Sequence, residues 1–208
     1  MKNEFSEIFK QGGWKSGKGK TVSGAGSTLE YTANIRNELP DLFKSLNIKT
    51  VIDAPCGDYN WFHKMEIGEI IYFGFDIVDG LIEQNMKLYG TDRVKFSILD
   101  VVSEPLPTAD LMLCRDLLRH IKLDYGRKVL ENFVRSGTKY LLTTTYVNPK
   151  NVDIAGAVGS RRINLLASPF NLPEPQLKIA DYVEGFAERY LGLWDRKQIE
   201  AAMRPSSL

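Results

Sequence analysis

Aspartates fall where the strand-like runs of this chain stop, and one histidine follows the last of them. Asp53 lies at the end of the run Thr50–Ala54, and Asp58 follows its turn. Asp76 closes Ile70–Ile77, Asp100 follows Val94–Leu99, and Asp116 follows Ala109–Cys114. A carboxylate accepts hydrogen bonds only, and one carboxylate accepts both hydroxyls of a ribose, the role expected of Asp76 about twenty residues after the glycine turn at Gly57. His120 lies four residues beyond Asp116, a spacing that puts both on one helical face. Such a pair suits proton removal: His120 as the base, with Asp116 orienting it or acting itself. Arg115 and Arg119 flank the pair and either hold an anionic acceptor or remain surface charge. Aspartate is also common after strands as a turn or cap residue. Its recurrence after four successive runs favours a shared crevice.

The elements that must position these groups follow from hydrophobic patterning. Short β-forming runs at Thr50–Ala54, Ile70–Ile77, Val94–Leu99, Ala109–Cys114 and Lys139–Tyr146 read as buried parallel strands. Helical segments are expected at Gly80–Tyr89 and Leu123–Arg135. Two more are expected ahead of the first strand, from Leu29 to Glu38 and, opened by Pro40, through Leu46. Alternation of this kind predicts an α/β fold, a doubly wound, Rossmann-like, mostly parallel sheet. Ligands then bind outside the carboxyl ends of the strands, where the strand order reverses.

The flanks are irregular. Residues 1–28 read as a lid or leader ahead of a single domain, 29–208. Ser23, Gly24 and Ser27 supply hydroxyls and a tight turn that could meet the acceptor, with Trp14, Tyr31 and Arg36 in support. The Gly19–Thr21 phrase GKT lacks the earlier glycine and the preceding strand of a phosphate-binding loop, since Trp14 stands where the glycine belongs. Residues 147–188 carry prolines and little periodicity. They read as a substrate-facing insertion in which Arg161 and Arg162 form a wall or solvated charge. Tyr190–Asp195 reads as a last strand.

The stretch Val51–Tyr146 resembles the class I S-adenosylmethionine-dependent methyltransferases. Its first strand and loop, VIDAPCGDY, keep the middle glycine of that family's glycine-rich turn as Gly57 and replace the others with Pro55 and Tyr59. FGFDIV resembles the ribose-binding strand end, ILDVV the segment beside the adenine, and ADLMLCRDLLRHI the fourth strand. SGAGSTLEYTANIRNELP, DAPCGD, CRDLLRHI and LGLWD resemble phrases of a narrower bacterial subgroup, some of it linked to sugars or surface polysaccharides. The resemblance implies S-adenosylmethionine as the cofactor. Its contacts would come from Asp53, Pro55, Cys56, Gly57, Asp58 and Trp61. Asp76, Ile77, Asp100, Val101 and Arg115 would supply the rest, with Asp58 facing the methionine ammonium.

Composition bounds the alternatives. A net charge of +1 gives no general footprint for nucleic acid, and no apolar run reaches membrane-spanning length. Cys56 and Cys114 end apolar runs and suit buried thiols, not a disulfide framework. No metal site is read. The chain reads as a soluble cytoplasmic enzyme methylating a hydroxyl of a small molecule or sugar. A cofactor-binding regulatory module, or a nicotinamide-dependent oxidoreductase lacking its glycine fingerprint, are the competing readings. Oligomeric state is not legible.

Overall fold

A computed structural model of the chain describes residues 2–14, 21–148 and 150–204. Seven strands form one sheet: β1 Thr50–Asp53, β2 Ile71–Asp76, β3 Val94–Ile98, β4 Leu111–Cys114, β5 Tyr140–Tyr146, β6 Leu177–Ala180 and β7 Arg189–Asp195. Their order is β3-β2-β1-β4-β5-β7-β6. The first five are parallel to one another, in register such as Ile52 opposite Phe73 and Met112. β7 runs antiparallel to both β5 and β6. The order reverses between β1 and β4, so the loops after these strands leave toward opposite faces and open a crevice.

Helices cover both faces. α1 spans Lys2–Lys10, α2 Ala33–Ser45, α3 Asp79–Tyr89, α4 Leu123–Ser136 and α5 Arg196–Met203. On one face Ile52, Met112, Leu141 and Trp194 pack against Val129, Leu130 and Phe133 of α4 and Ile199 of α5. On the other, Val51, Leu111, Leu113 and Leu142 pack against Ile35, Leu39 and Phe43 of α2 and Ile82 of α3. β4 is buried at all four positions, as a central parallel strand must be.

Three expectations are corrected. α2 is one helix that starts at Ala33 and runs through Pro40. The proline forgoes one backbone bond, but Ile35 and Leu39 before it and Leu42 and Phe43 after it are all buried, which outweighs that loss. α1 stands where the flank reads as irregular: its apolar residues Phe5, Ile8 and Phe9, spaced i, i+3 and i+4, form one stripe that lines the cleft. The insertion is less irregular than expected, since it supplies the edge strand β6. No α-helix follows β1; its loop runs into a 3-10 turn, Phe62–Lys64. No helix among the described residues is long and apolar enough to cross a membrane.

Candidate functional site

The crevice at the strand reversal is a cleft lined from five directions. The loop after β1 contributes Asp53 to Gly57 and Trp61. The ends of β2 and β3 contribute Asp76–Val78 and Leu99–Val102, and the segment after β4 contributes Arg115, Asp116, His120 and Ile121. The N-terminal residues contribute Phe5, Phe9, Trp14, Val22, Ser23 and Ser27.

The loop after β1 is braced on every side. The Cys56 amide donates to the Phe75 carbonyl (2.8 Å), and the Asn85 side chain donates to the Gly57 carbonyl (2.7 Å). Gly57 has φ 55°, and a Cβ there would lie 2.5 Å from Ser23 Oγ. The Ser23 side chain of the N-terminal segment therefore packs directly on this glycine. Tyr59, where the family pattern has a third glycine, adopts the same left-handed conformation, φ 55°. Its ring stacks on Phe62 and packs against Tyr72, Tyr89 and Phe96, contacts that offset a strain of about 1–2 kcal/mol.

Two carboxylates here are buried. Tyr72 donates to Asp53 (2.7 Å). Burial pushes Asp53 up to about 7, against the pull of that bond and of Arg115. Burial likewise pushes Asp76 up to about 6, opposed by bonds from the Val78 (3.1 Å) and Gly57 (3.2 Å) amides. Asp100 accepts from the Val102 amide (3.0 Å) and Ser103 (2.9 Å) and closes the turn after β3.

Beyond β4 lies a buried chain of alternating charges. Arg115 donates to Asp181 from Nε (3.0 Å) and Nη2 (2.8 Å), and to the Gly26 carbonyl (2.6 Å). Arg189 donates to Asp116 Oδ1 (2.7 Å), lies 3.1 Å from Asp181, and stacks over Tyr31. Each charge faces an opposite one, which such burial requires. Burial would raise Asp116, but Arg189 first, then Arg115, Arg119 and His120, hold it well below the usual carboxylate range. Asp181 and Arg189 were not singled out from the sequence. They reach the site through the antiparallel pairing of β6 and β7, a long-range register with no local signal.

His120 does not share a helical face with Asp116. Asp116 has φ 65°, residues 118–120 form a turn, and α4 begins only at Leu123. The segment 158–161 holds the histidine instead. Gly159 donates to the His120 carbonyl (3.0 Å), and His120 Nδ1 meets the Gly159 carbonyl at 2.6 Å. A carbonyl only accepts, so Nδ1 carries the proton and neutral His120 keeps a lone pair on Nε2. Burial lowers the His120 pKa, although Asp116 and the Gly159 carbonyl pull the other way. The Trp14 ring lies over the imidazole, centroids 4.8 Å apart.

Of the residues singled out from the sequence, Asp53, Pro55, Cys56, Gly57, Trp61, Asp76, Ile77, Asp100, Val101, Arg115, Asp116, His120, Ser23 and Ser27 line this cleft. Five others do not. Asp58 turns away to accept from Thr21 Oγ1 and the Val22 amide, its own amide donating to Ser23 Oγ (2.9 Å). Gly24 is buried behind Trp14. Arg36 bonds the Leu29 carbonyl at the start of α2. Arg161 is half-buried and bonds the Leu118 carbonyl (3.2 Å), while Arg162 is exposed. Arg119 lies over Tyr146 and bonds Ser160. Gly19 and Lys20 of the GKT phrase lie outside the described residues. Among the described residues no acidic, histidine and cysteine side chains gather as a metal site would require.

No protein-family model and no curated protein matches the chain. Solved structures do. Magnesium protoporphyrin IX methyltransferase from Synechocystis PCC 6803, with bound SAH, is similar over 94% of this chain and 97% of that one, at 9% identity and a TM-score of 0.63. Human N-acetylserotonin methyltransferase in complex with SAM covers 78% of this chain and 52% of its own, at 12% identity and TM-score 0.57. The N-methyltransferase NodS from Bradyrhizobium japonicum WM9 covers 80% and 96%, at 10% identity and TM-score 0.57. At such identities the likeness establishes the fold, the Rossmann-like fold of class I methyltransferases.

Proposed function

We propose that the cleft binds S-adenosylmethionine and that the protein transfers its methyl group to a hydroxyl of a small molecule or sugar. The observation that carries this reading is the charge of the cleft. Asp53, Asp76, Asp100 and Asp116 line it against Arg115 and a histidine whose pKa is lowered. That balance suits a ligand with a sulfonium and an ammonium, and it disfavours the pyrophosphate of a nicotinamide dinucleotide. The absence of a helix after β1 counts against the dinucleotide too, since its phosphates need a helix N-terminus. The neighbours with bound SAH or SAM share the fold over most of this chain.

In this reading Asp76 takes the ribose hydroxyls, Asp100 and Val101 border the adenine, and Asp53 with the Pro55–Gly57 backbone receives the methionine end. Residues 2–14 and 21–28 close over them as a lid. The sulfonium supplies an activated methyl group. The protein must align the acceptor oxygen with it, worth about 7–11 kcal/mol of barrier, and accept one proton. Asp116, held ionised by Arg189, is too weak a base to take that proton at neutral pH. His120 Nε2 is neutral and available. A base so placed contributes about 10²–10⁴-fold.

Calorimetry with S-adenosylmethionine tests the assignment. Asp76→Ala is expected to weaken binding by about 10–100-fold, the worth of hydrogen bonds to a charged group. Affinity equal to wild type would remove the ribose role. Cofactor binding without transfer to any member of a broad panel of hydroxylated acceptors would favour the regulatory-module reading.

A further inference from the structure

This inference rests on the methyl-transfer reading of the same cleft and concerns the charge of the acceptor. We propose that the acceptor carries an anionic group, a carboxylate or a phosphate, which Arg119 holds while a hydroxyl of the same molecule meets His120.

Three guanidinium groups and two carboxylates meet beyond β4. Arg115 and Arg189 pair with Asp181, and Arg189 and Arg119 pair with Asp116. One positive charge is left without a matching carboxylate, and it falls on Arg119. Arg115 and Arg189 are 4% and 2% exposed, whereas Arg119 is 26% exposed. Arg119 stands 3.6 Å from an Asp116 oxygen that Arg189 already occupies at 2.7 Å. Among the described residues no other carboxylate lies within ion-pair reach of Arg119.

A solvated surface arginine keeps its rotamer freedom, but Arg119 is fixed on three sides. Its guanidinium lies 5.7 Å from the centroid of the Tyr146 ring, Nη2 donates to Ser160 Oγ (2.8 Å) and Nε donates to the Arg161 carbonyl (3.3 Å). Nη1 donates to no described residue, so most of the donor fork is open. A fixed fork with an unmatched charge is what carboxylate and phosphate oxygens accept. The segment that fixes this arginine also fixes the base. The Gly159 amide donates to the His120 carbonyl, the Arg161 amide donates to the Arg119 carbonyl, and Ile121 bridges Val158. The backbone therefore sets the spacing between anion and hydroxyl. Asp116, against which Arg119 lies, lines the cleft together with His120. In the transfer the hydroxyl proton passes to His120 Nε2 and an oxygen pair forms the new O–C bond. The C–S bond pair returns to sulfur, leaving a neutral thioether. The anion makes no bond in this step and serves to orient the acceptor.

The test titrates glucose 6-phosphate, glucuronate, glucose and glucosamine into protein saturated with S-adenosylhomocysteine, which permits no transfer. At least one of the two anions is expected to bind about tenfold or more tightly than glucose, the worth of hydrogen bonds to a charged group, with glucosamine weakest. Which anion binds better separates phosphate from carboxylate. Arg119→Met is expected to cost that anion about tenfold or more while the affinities for glucose and S-adenosylhomocysteine are retained. Arg119→Lys, which keeps the charge without the fork, should fall between the two. Anions binding no more tightly than glucose, no binding of any of these sugars, an anion preference that survives in Arg119→Met, or a loss of S-adenosylhomocysteine affinity in that variant overturns the proposal. Failure of wild type to bind S-adenosylhomocysteine removes the methyl-transfer reading itself, and this one with it.

Discussion

Arg189 and Arg119 both touch Asp116, yet they should behave differently. The Arg189 side chain is 2% exposed and is pinned at both ends by Asp116 and Asp181. Removing it leaves Asp116 without its hydrogen-bonded cation and Asp181 with Arg115 alone, so Arg189→Met is expected to cost about 3–5 kcal/mol of stability in chemical denaturation. Arg119 is 26% exposed, and its nitrogen is 3.6 Å from Asp116. Arg119→Met should cost less than about 1 kcal/mol. Equal losses would mean that the buried chain of charges does not act as a unit. The residues flanking that chain show how far local reading reaches. Asp53, Asp76, Asp100 and Asp116 were legible because each sits at a strand end, a local signal. Asp58 has the same local signal but points the other way, because spacing along a loop does not decide which side of it a carboxylate takes. Arg36, Arg161 and Arg162 were named for their charge alone, and each is claimed by a carbonyl or by solvent.

At the scale of elements, the N-terminal segment and the loop after β1 are one unit in the packing sense. Asp58 clasps Thr21 and Val22, Ser23 caps the Asp58 amide, and Asn60 donates to the Ser27 carbonyl (2.8 Å). Gly57→Ala would put a methyl group into Ser23 Oγ and force alanine into a left-handed conformation costing about 1–2 kcal/mol. Hydrogen exchange is expected to speed up in residues 21–28 while the amides of β1 and β4 keep their protection. Adding Ser23→Gly should relieve the clash and leave the backbone cost together with the loss of the hydrogen bond from the Asp58 amide to Ser23 Oγ. If exchange in 21–28 is unchanged in Gly57→Ala, the segment is held by other contacts. The sequence marked Ser23 to Ser27 as a turn that could close over a site. It did not reveal that Gly57 is the surface on which that turn rests.

For the molecule as a whole, the cleft stores protons. With Asp53 pushed up to about 7 and Asp76 to about 6, the ligand-free protein holds protons at pH 5–6 that the unfolded chain has lost. Those two groups contribute stability that is full below the unfolded pKa of about 3.9 and is lost as pH rises through 6 to 7. A cationic ligand reverses the preference, because it binds the ionised carboxylates. S-Adenosylmethionine binding should therefore release protons and tighten by up to about a hundredfold per pH unit below pH 6, where both groups are protonated, and by up to about tenfold per unit from there to pH 7, then level off. Calorimetry in buffers of differing ionisation enthalpy measures the release. Proton uptake on binding would reverse the sign and sink the account. The parallel half of the sheet was legible because its strands are short runs rich in β-forming residues, each ending at an acid or a turn signal. The antiparallel closure was not, because β6 has one buried residue in four and reads as loop until β7 pairs with it.

The docked N-terminal segment also bears on timing. Fresh and spent cofactor differ by one methyl group, and in the proposed reading both lie beneath Trp14 and Ser23. Exchange of one for the other requires the segment to lift, which breaks the Asp58 clasp, the Asn60–Ser27 bond and the bond from Arg115 to Gly26. Chemistry in a closed cleft is then followed by a slower departure. Such an enzyme would turn over its first equivalent in a burst and run its steady state at the pace of its own N-terminus.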